Sequence, residues 1–210
     1  MTFLSALQFL TSIPVYIRKK LEPKQIGQAT MWFPLIGFGI GMVLALINWI
    51  LAHFLPTSVV NILLIVTLVI MTGALHLDGF ADTCDGIAGH KPVEERWKVM
   101  HDSRTGAFGV VGIALLLLVK YVALNNIPNT WLIPTLIIMP AVSRFAMVYA
   151  LFAFPYARPE GLGMVYKQET RWPQFTLAVV TVALVGAILY PVISYAGFIL
   201  IGVVLVLTTL

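Results

Sequence analysis

Long apolar blocks separated by short polar or basic stretches organise the chain. They fall at roughly 31–55, 59–77, 107–124, 131–154, 174–190 and 191–210. Crossing about 30 Å of hydrocarbon takes ~20 helical residues, with ~17 to 25 tolerated, and every block lies in that range. Lipid offers no partner to an unpaired backbone N–H or C=O, so blocks of this length are helical. None shows the alternation over ~10 residues that marks a membrane barrel strand. The pattern predicts an all-α, polytopic membrane helical bundle of about six transmembrane helices, forming a single integral membrane domain over 1–210. The opening MTFLSALQFLTSIPVYIRKK is apolar first and basic afterwards, the reverse of a secretory signal. It predicts an N-terminal segment lying in the membrane interface.

Composition agrees with the pattern. Of the 210 residues 60% are hydrophobic and 10% charged, where a soluble domain carries about 25% charged; the mean hydropathy is +0.94. Net charge is +4, and its distribution says more than its size. Arg18, Lys19, Lys20 and Lys24 precede the first block. Lys91, Arg96, Lys98 and Arg104 lie in the loop 78–106, and Arg158, Lys167 and Arg171 in the loop 155–173. Eleven of the 13 basic residues are thereby in three stretches. The turns PTS at 56–58 and NNIPNT at 125–130, and the tight join at Tyr190–Pro191, carry none. The positive-inside rule places the three basic stretches in the cytoplasm. No basic surface interleaved with aromatic residues is apparent, which argues against nucleic acid as a partner. Membrane lipid is the expected surroundings, and a homo-oligomer is compatible with the sequence.

Two basic residues fall inside the blocks. Lys120 is near the outer end of its span and can reach the headgroups. Arg144 is about ten residues from the cytoplasmic end at Pro155, roughly 15 Å deep at helical rise. A charge there costs at least ~2.5 kcal/mol unless a partner or a watery cavity receives it. Two readings follow, an ion pair between helices or a contact to an anionic ligand. Gly37, Gly39 and Gly41 form a small-residue stripe suited to close helix contact. The lone cysteine, Cys84, reads as a packing residue.

The stretch LHLDGFADTCDGIAGH at 75–90 carries the chemistry. Asp78, Asp82 and Asp85 stand at i, i+4 and i+7. On a helix continuing the second block they fall at about 0°, 40° and −20°, sharing one face. Three carboxylates so close repel unless cations intervene, and hard oxygen donors of this kind suit Mg²⁺ shared with substrate phosphates. Two such ions can clamp a phosphoryl group. The bland reading, acids capping a solvated helix end, runs against the macrodipole at a C-terminus. His76 lies about 160° away on the same helix, and shares no metal with the strip unless the helix breaks at Gly79. MHDSRTGAFGV at 100–110 sets Asp102 and Arg104 just ahead of the third block, with Gly106 and Gly109 following. PYARPEGLG at 155–163 adds Arg158 and Glu160 on the same side. Arginine forks suit phosphate oxygens. KPVEERWK at 91–98 reads as a short surface helix without chemistry.

These motifs, with QFLTSIPV at the start, SRF at 143–145 and the YARPEGLG loop, resemble the cobalamin synthase family, the adenosylcobinamide-GDP ribazoletransferases, along essentially the whole chain. The resemblance implies an inner (cytoplasmic) membrane enzyme with its active site on the cytoplasmic side. It implies Mg²⁺-dependent transfer: adenosylcobinamide-GDP joins α-ribazole or its 5′-phosphate, ribazole supplies the attacking oxygen, and GMP leaves. Asp78, Asp82 and Asp85 become the candidate catalytic and metal-holding residues. Asp102, Arg104, Arg144, Arg158 and Glu160 are the candidate substrate-binding residues. The family pattern continues with a segment resembling GGxTGDxxGA, which these 210 residues do not contain. Two other classes compete. Another Mg²⁺-dependent membrane phospho- or prenyltransferase would show a DGxxAR opening or a second aspartate cluster. A cation transporter would show internal repeats or paired broken helices.

Overall fold

The computed structural model describes residues 1–16, 21–88, 92–102, 104–157 and 161–193. Every regular element among them is helical. In chain order these are α1 (Thr2–Leu10), α2 (Pro23–Gln28), a 3₁₀ turn (Ala29–Trp32), α3 (Phe33–Leu51), α4 (Thr57–Met71) and α5 (Leu75–Ile87). There follow α6 (Val93–Met100), α7 (Ala107–Asn126), α8 (Asn129–Ala153), α9 (Leu162–Glu169) and α10 (Trp172–Ile193). Among the described residues four helical stretches are long and apolar enough to cross a membrane, or five if α4 and α5 count as one bent span. The protein is therefore multi-pass, near the count of about six. Most of the block 191–210 lies outside the described residues.

The chain forms two compact units, one of residues 1–50 and 128–210, the other of residues 51–127. In the first, α1 docks on the 3₁₀ turn: Trp32 Nε1 donates to Thr2 Oγ1 at 3.0 Å, and Phe3 meets Trp32 edge-on. Phe9 stacks on Phe33 and packs against Tyr166 of α9. Helices α3 and α8 touch backbone to backbone. A Cβ at Gly37 would collide with the Pro140 carbonyl of α8, and one at Gly41 with the backbone of Leu136 and Ile137. Pro140 has no N–H to give the Leu136 carbonyl, which leaves that carbonyl facing the bare Cα of Gly41. Gly39 was expected in the same stripe, but a Cβ there would meet nothing within 4 Å. It sits about 200° around the helix from Gly37, so the contact is a G-x-x-x-G pair. The expected join at Tyr190–Pro191 is not a turn either, because α10 runs through both residues to Ile193. A proline inside a helix removes a single i→i−4 bond, which a long apolar helix tolerates.

The second unit holds the motif, and here the expected continuous second span does not occur. α4 ends at Met71, and α5 leaves at 89° to it. The end has a clear local cause. Gly73 and Ala74 both take left-handed φ of 57°. The N–H of Ala74 donates to the Val69 carbonyl and that of Gly73 to the Ile70 carbonyl, the crossed pair of a glycine-terminated helix. Thr72 Oγ1 donates to the Leu68 carbonyl at 2.9 Å. Left-handed backbone costs an ordinary residue such as Ala74 about 1–2 kcal/mol, so the packing below the bend holds it in place. α5 then packs on both α6 and α7, and α4 packs on α7.

Candidate functional site

The bend changes the electrostatics of the aspartates. Helix α5 is unbroken from Leu75 to Ile87, through Gly79. Asp78, Asp82 and Asp85 therefore share one face, and His76 lies on the far side. Asp78, however, is not near the end of a long span but in the first turn of a new helix, where the macrodipole favours a negative charge. It is exposed, while Asp82 and Asp85 are half-buried. No three His, Cys, Asp or Glu side chains converge as a metal cage among the described residues.

Asp85 is engaged by the neighbouring helix. The Gly106 N–H donates to Asp85 Oδ2 at 2.7 Å and the Gly109 N–H to Asp85 Oδ1 at 2.9 Å. A Cβ at either glycine would fall on that carboxylate. Gly112 continues the row, with its Cα against Cys84 Sγ, and Gly86 likewise receives the Met100 side chain. Glycines at i, i+3 and i+6 thus let α7 lie directly against Ala81, Cys84 and Asp85. The spacing GAFGVVG is visible in the sequence, yet its partner is not, since the contact spans more than twenty residues. Cys84 is half-buried in this seam, as a packing residue should be.

Just upstream, Arg104 is hooked by Asp102. Arg104 Nη2 donates to Asp102 Oδ2 at 2.8 Å, Arg104 Nε to Oδ1 at 3.1 Å, and the Arg104 backbone N–H to Oδ1 at 3.0 Å. The guanidinium is 86% exposed, so its remaining donors face water. A cleft of about 380 Å³ is lined by Asp85, Asp102, Arg104, Gly106 and the first residues of α7, Ala107 and Phe108. The side-chain bonds from Arg104, then its backbone N–H, pull the Asp102 carboxyl down to about 2, and the same pairing pushes the Arg104 guanidinium up. A depressed carboxylate contributes its full interaction above the ordinary value near 3.9 and loses it as pH falls through about 2. A ¹³C titration of the Asp102 carboxyl is expected to show an intact hook from pH 8 to pH 5 and a midpoint of about 2. A midpoint near ~3.9 would mean the hook does not form.

In the other unit Arg144 is 5% exposed. Its Nη1 reaches the neighbouring Ser143 Oγ at 3.2 Å, and its Nε is buried with no hydrogen-bond partner among the described residues. No carboxylate pairs with it among the described residues. Arg158 and Glu160 lie outside the described residues.

A family model described as cobalamin-5-phosphate synthase matches residues 2–210. The adenosylcobinamide-GDP ribazoletransferase of Geotalea daltonii is 43% identical over 77% of this chain and 65% of its own length. That of Syntrophobacter fumaroxidans is 34% identical over 94% of this chain and 81% of its own. That of Desulforamulus reducens is 34% identical over 98% and 81%. The chain therefore spans just under two thirds of the first relative and about four fifths of the other two. No solved structure matches.

Proposed function

The chain belongs to the cobalamin-5-phosphate synthase family, and from that premise we propose that it is a transferase joining adenosylcobinamide-GDP to α-ribazole or α-ribazole 5′-phosphate. A ribazole oxygen forms a bond to the corrinoid-side phosphorus, the bond from that phosphorus to the bridging oxygen breaks, and GMP leaves. The nucleophile's hydroxyl proton is released as the new ester forms.

The observation that supports this reading most is that the acidic face of α5 ends at the cleft holding Arg104. Carboxylates and a phosphate-binding fork from one unit are what a diphosphate with its counter-ion asks for. Asp78 and Asp82, one turn apart on one face of α5, are a donor set that fits Mg²⁺, which takes one or two carboxylates and leaves its other positions to water and phosphate. When bound, Mg²⁺ supplies charge neutralisation and orientation of the diphosphate oxygens. Arg104, steadied by Asp102, holds phosphate oxygens at the cleft. Arg144, buried in its own unit, Arg158 and Glu160 are the further residues proposed to bind substrate. The site faces the cytoplasm of an inner membrane, as the basic loops support.

The test is GMP release from adenosylcobinamide-GDP by the detergent-purified protein supplied with α-ribazole 5′-phosphate and Mg²⁺. Release that EDTA stops is the expected result. Release that continues unchanged in EDTA removes the metal, and no release with retained corrinoid leaves a binding protein in place of a transferase.

A further inference from the structure

We propose that Asp85 is a positioning residue: its carboxylate fastens the start of α7 to the motif helix and so fixes where Arg104 stands, leaving metal holding to Asp78 and Asp82. The inference deepens the function proposed above and takes its substrate class from it.

Both oxygens of Asp85 already accept backbone N–H groups, from Gly106 and Gly109. Bonds to an ionised acceptor are roughly twice as strong as neutral ones. The seat is shaped for the carboxylate, since neither glycine has room for a Cβ beside it. The N–H of Gly109 belongs to the first turn of α7, where helix N–H groups have no partner of their own. The residue in the N-cap position, Gly106, has no side chain to supply one. Asp85 therefore does from another helix what an N-cap side chain does locally. Its charge lies in the last turn of α5, where that helix's own dipole disfavours it. The positive end of α7 offsets this. Positioning then runs through the backbone, from α5 through Asp85 to Gly106, and two residues upstream to the Arg104 hook. With both oxygens engaged in this way, Asp85 has few lone pairs left to give a cation.

The experiment compares Asp85→Asn, Gly109→Ala and their double variant with the wild type. Asparagine keeps the shape but turns an NH₂ toward one of the two amide donors. The alanine methyl pushes the carboxylate off its seat without touching any metal donor. Amide hydrogen exchange, which needs no substrate, is expected to accelerate at least about 10-fold at positions 106 and 109 in both single variants, as loss of a hydrogen bond to a charged group implies, with α4 unchanged. In the GMP-release assay both should raise KM for the corrinoid nucleotide by about 10-fold, leave the Mg²⁺ concentration dependence where it was, and show no further loss when combined. Unchanged exchange at those amides in Asp85→Asn would overturn the proposal. So would a shifted Mg²⁺ dependence in Asp85→Asn that Gly109→Ala does not share. Should the wild type itself release no GMP, the transferase reading fails while the exchange result still decides the anchoring role.

Discussion

Replacing Asp82 by Asn is expected to lower GMP release roughly 10³-fold, the cost of losing a charge-stabilising group or metal donor at a phosphoryl-transfer centre. Asp82 is the middle member of the face, one turn from Asp78 and on an uninterrupted helix. The change keeps size and removes one negative charge, while the α5–α7 contacts of Ala81, Cys84 and Asp85 are left in place. The Mg²⁺ concentration needed for half-maximal rate should rise as well. Activity within ~10-fold of the wild type, with unchanged Mg²⁺ dependence, would remove Asp82 from the metal and shift the weight to Asp78.

The second large effect concerns Arg144. Changing it to Met should cut transfer about 100-fold, the range for losing one charge-stabilising donor. The bundle should meanwhile become no less stable. A guanidinium 5% exposed, with a buried Nε lacking a hydrogen bond among the described residues, carries a cost of at least ~2.5 kcal/mol within a span, and a methionine of similar length avoids it. Adding the corrinoid nucleotide should accordingly raise the melting temperature of the wild type but not of the variant. A lower melting temperature for Arg144→Met without ligand would restore the other reading, an ion pair whose acidic partner lies outside the described residues.

How far the sequence disclosed this arrangement depended on the range of the interaction. Helices could be read because apolar length and the need to pair backbone groups in lipid are local constraints, and α3, α7 and α8 follow their blocks closely. The carboxylate face was legible for the same reason: it depends only on spacing along one helix. The bend was not. Met71, Ala74, Leu75 and Leu77 keep the stretch apolar on average, and hydropathy averages over the Thr72–Gly73 pair that ends α4. The one signal was a glycine following threonine inside an apolar run. The role of Asp85 was hidden for a different reason. Its partners are two backbone amides in another helix, and backbone donors carry no letter in the sequence; the glycines that make room for it were visible only as spacing. Arg144 was singled out by depth alone, and burial in the structure agrees, because a lone charge in an apolar block is conspicuous wherever it packs.

The bend at Gly73–Ala74 also has a consequence for insertions and deletions. On one continuous rod, each residue inserted ahead of the motif would swing the carboxylates by about 100° and lift them about 1.5 Å, so the phase of the whole span would be locked to the chemistry. A left-handed pair followed by a new helix start resets that phase. The angular relation of Asp78, Asp82 and Asp85 to α7 is then set within the segment from Leu75 onward, whatever the length of α4. A residue added between Val60 and Val69 disturbs how α4 meets α7 but leaves the carboxylates aimed as before. A residue added between Gly79 and Asp82 splits Asp78 from the other two by a third of a turn.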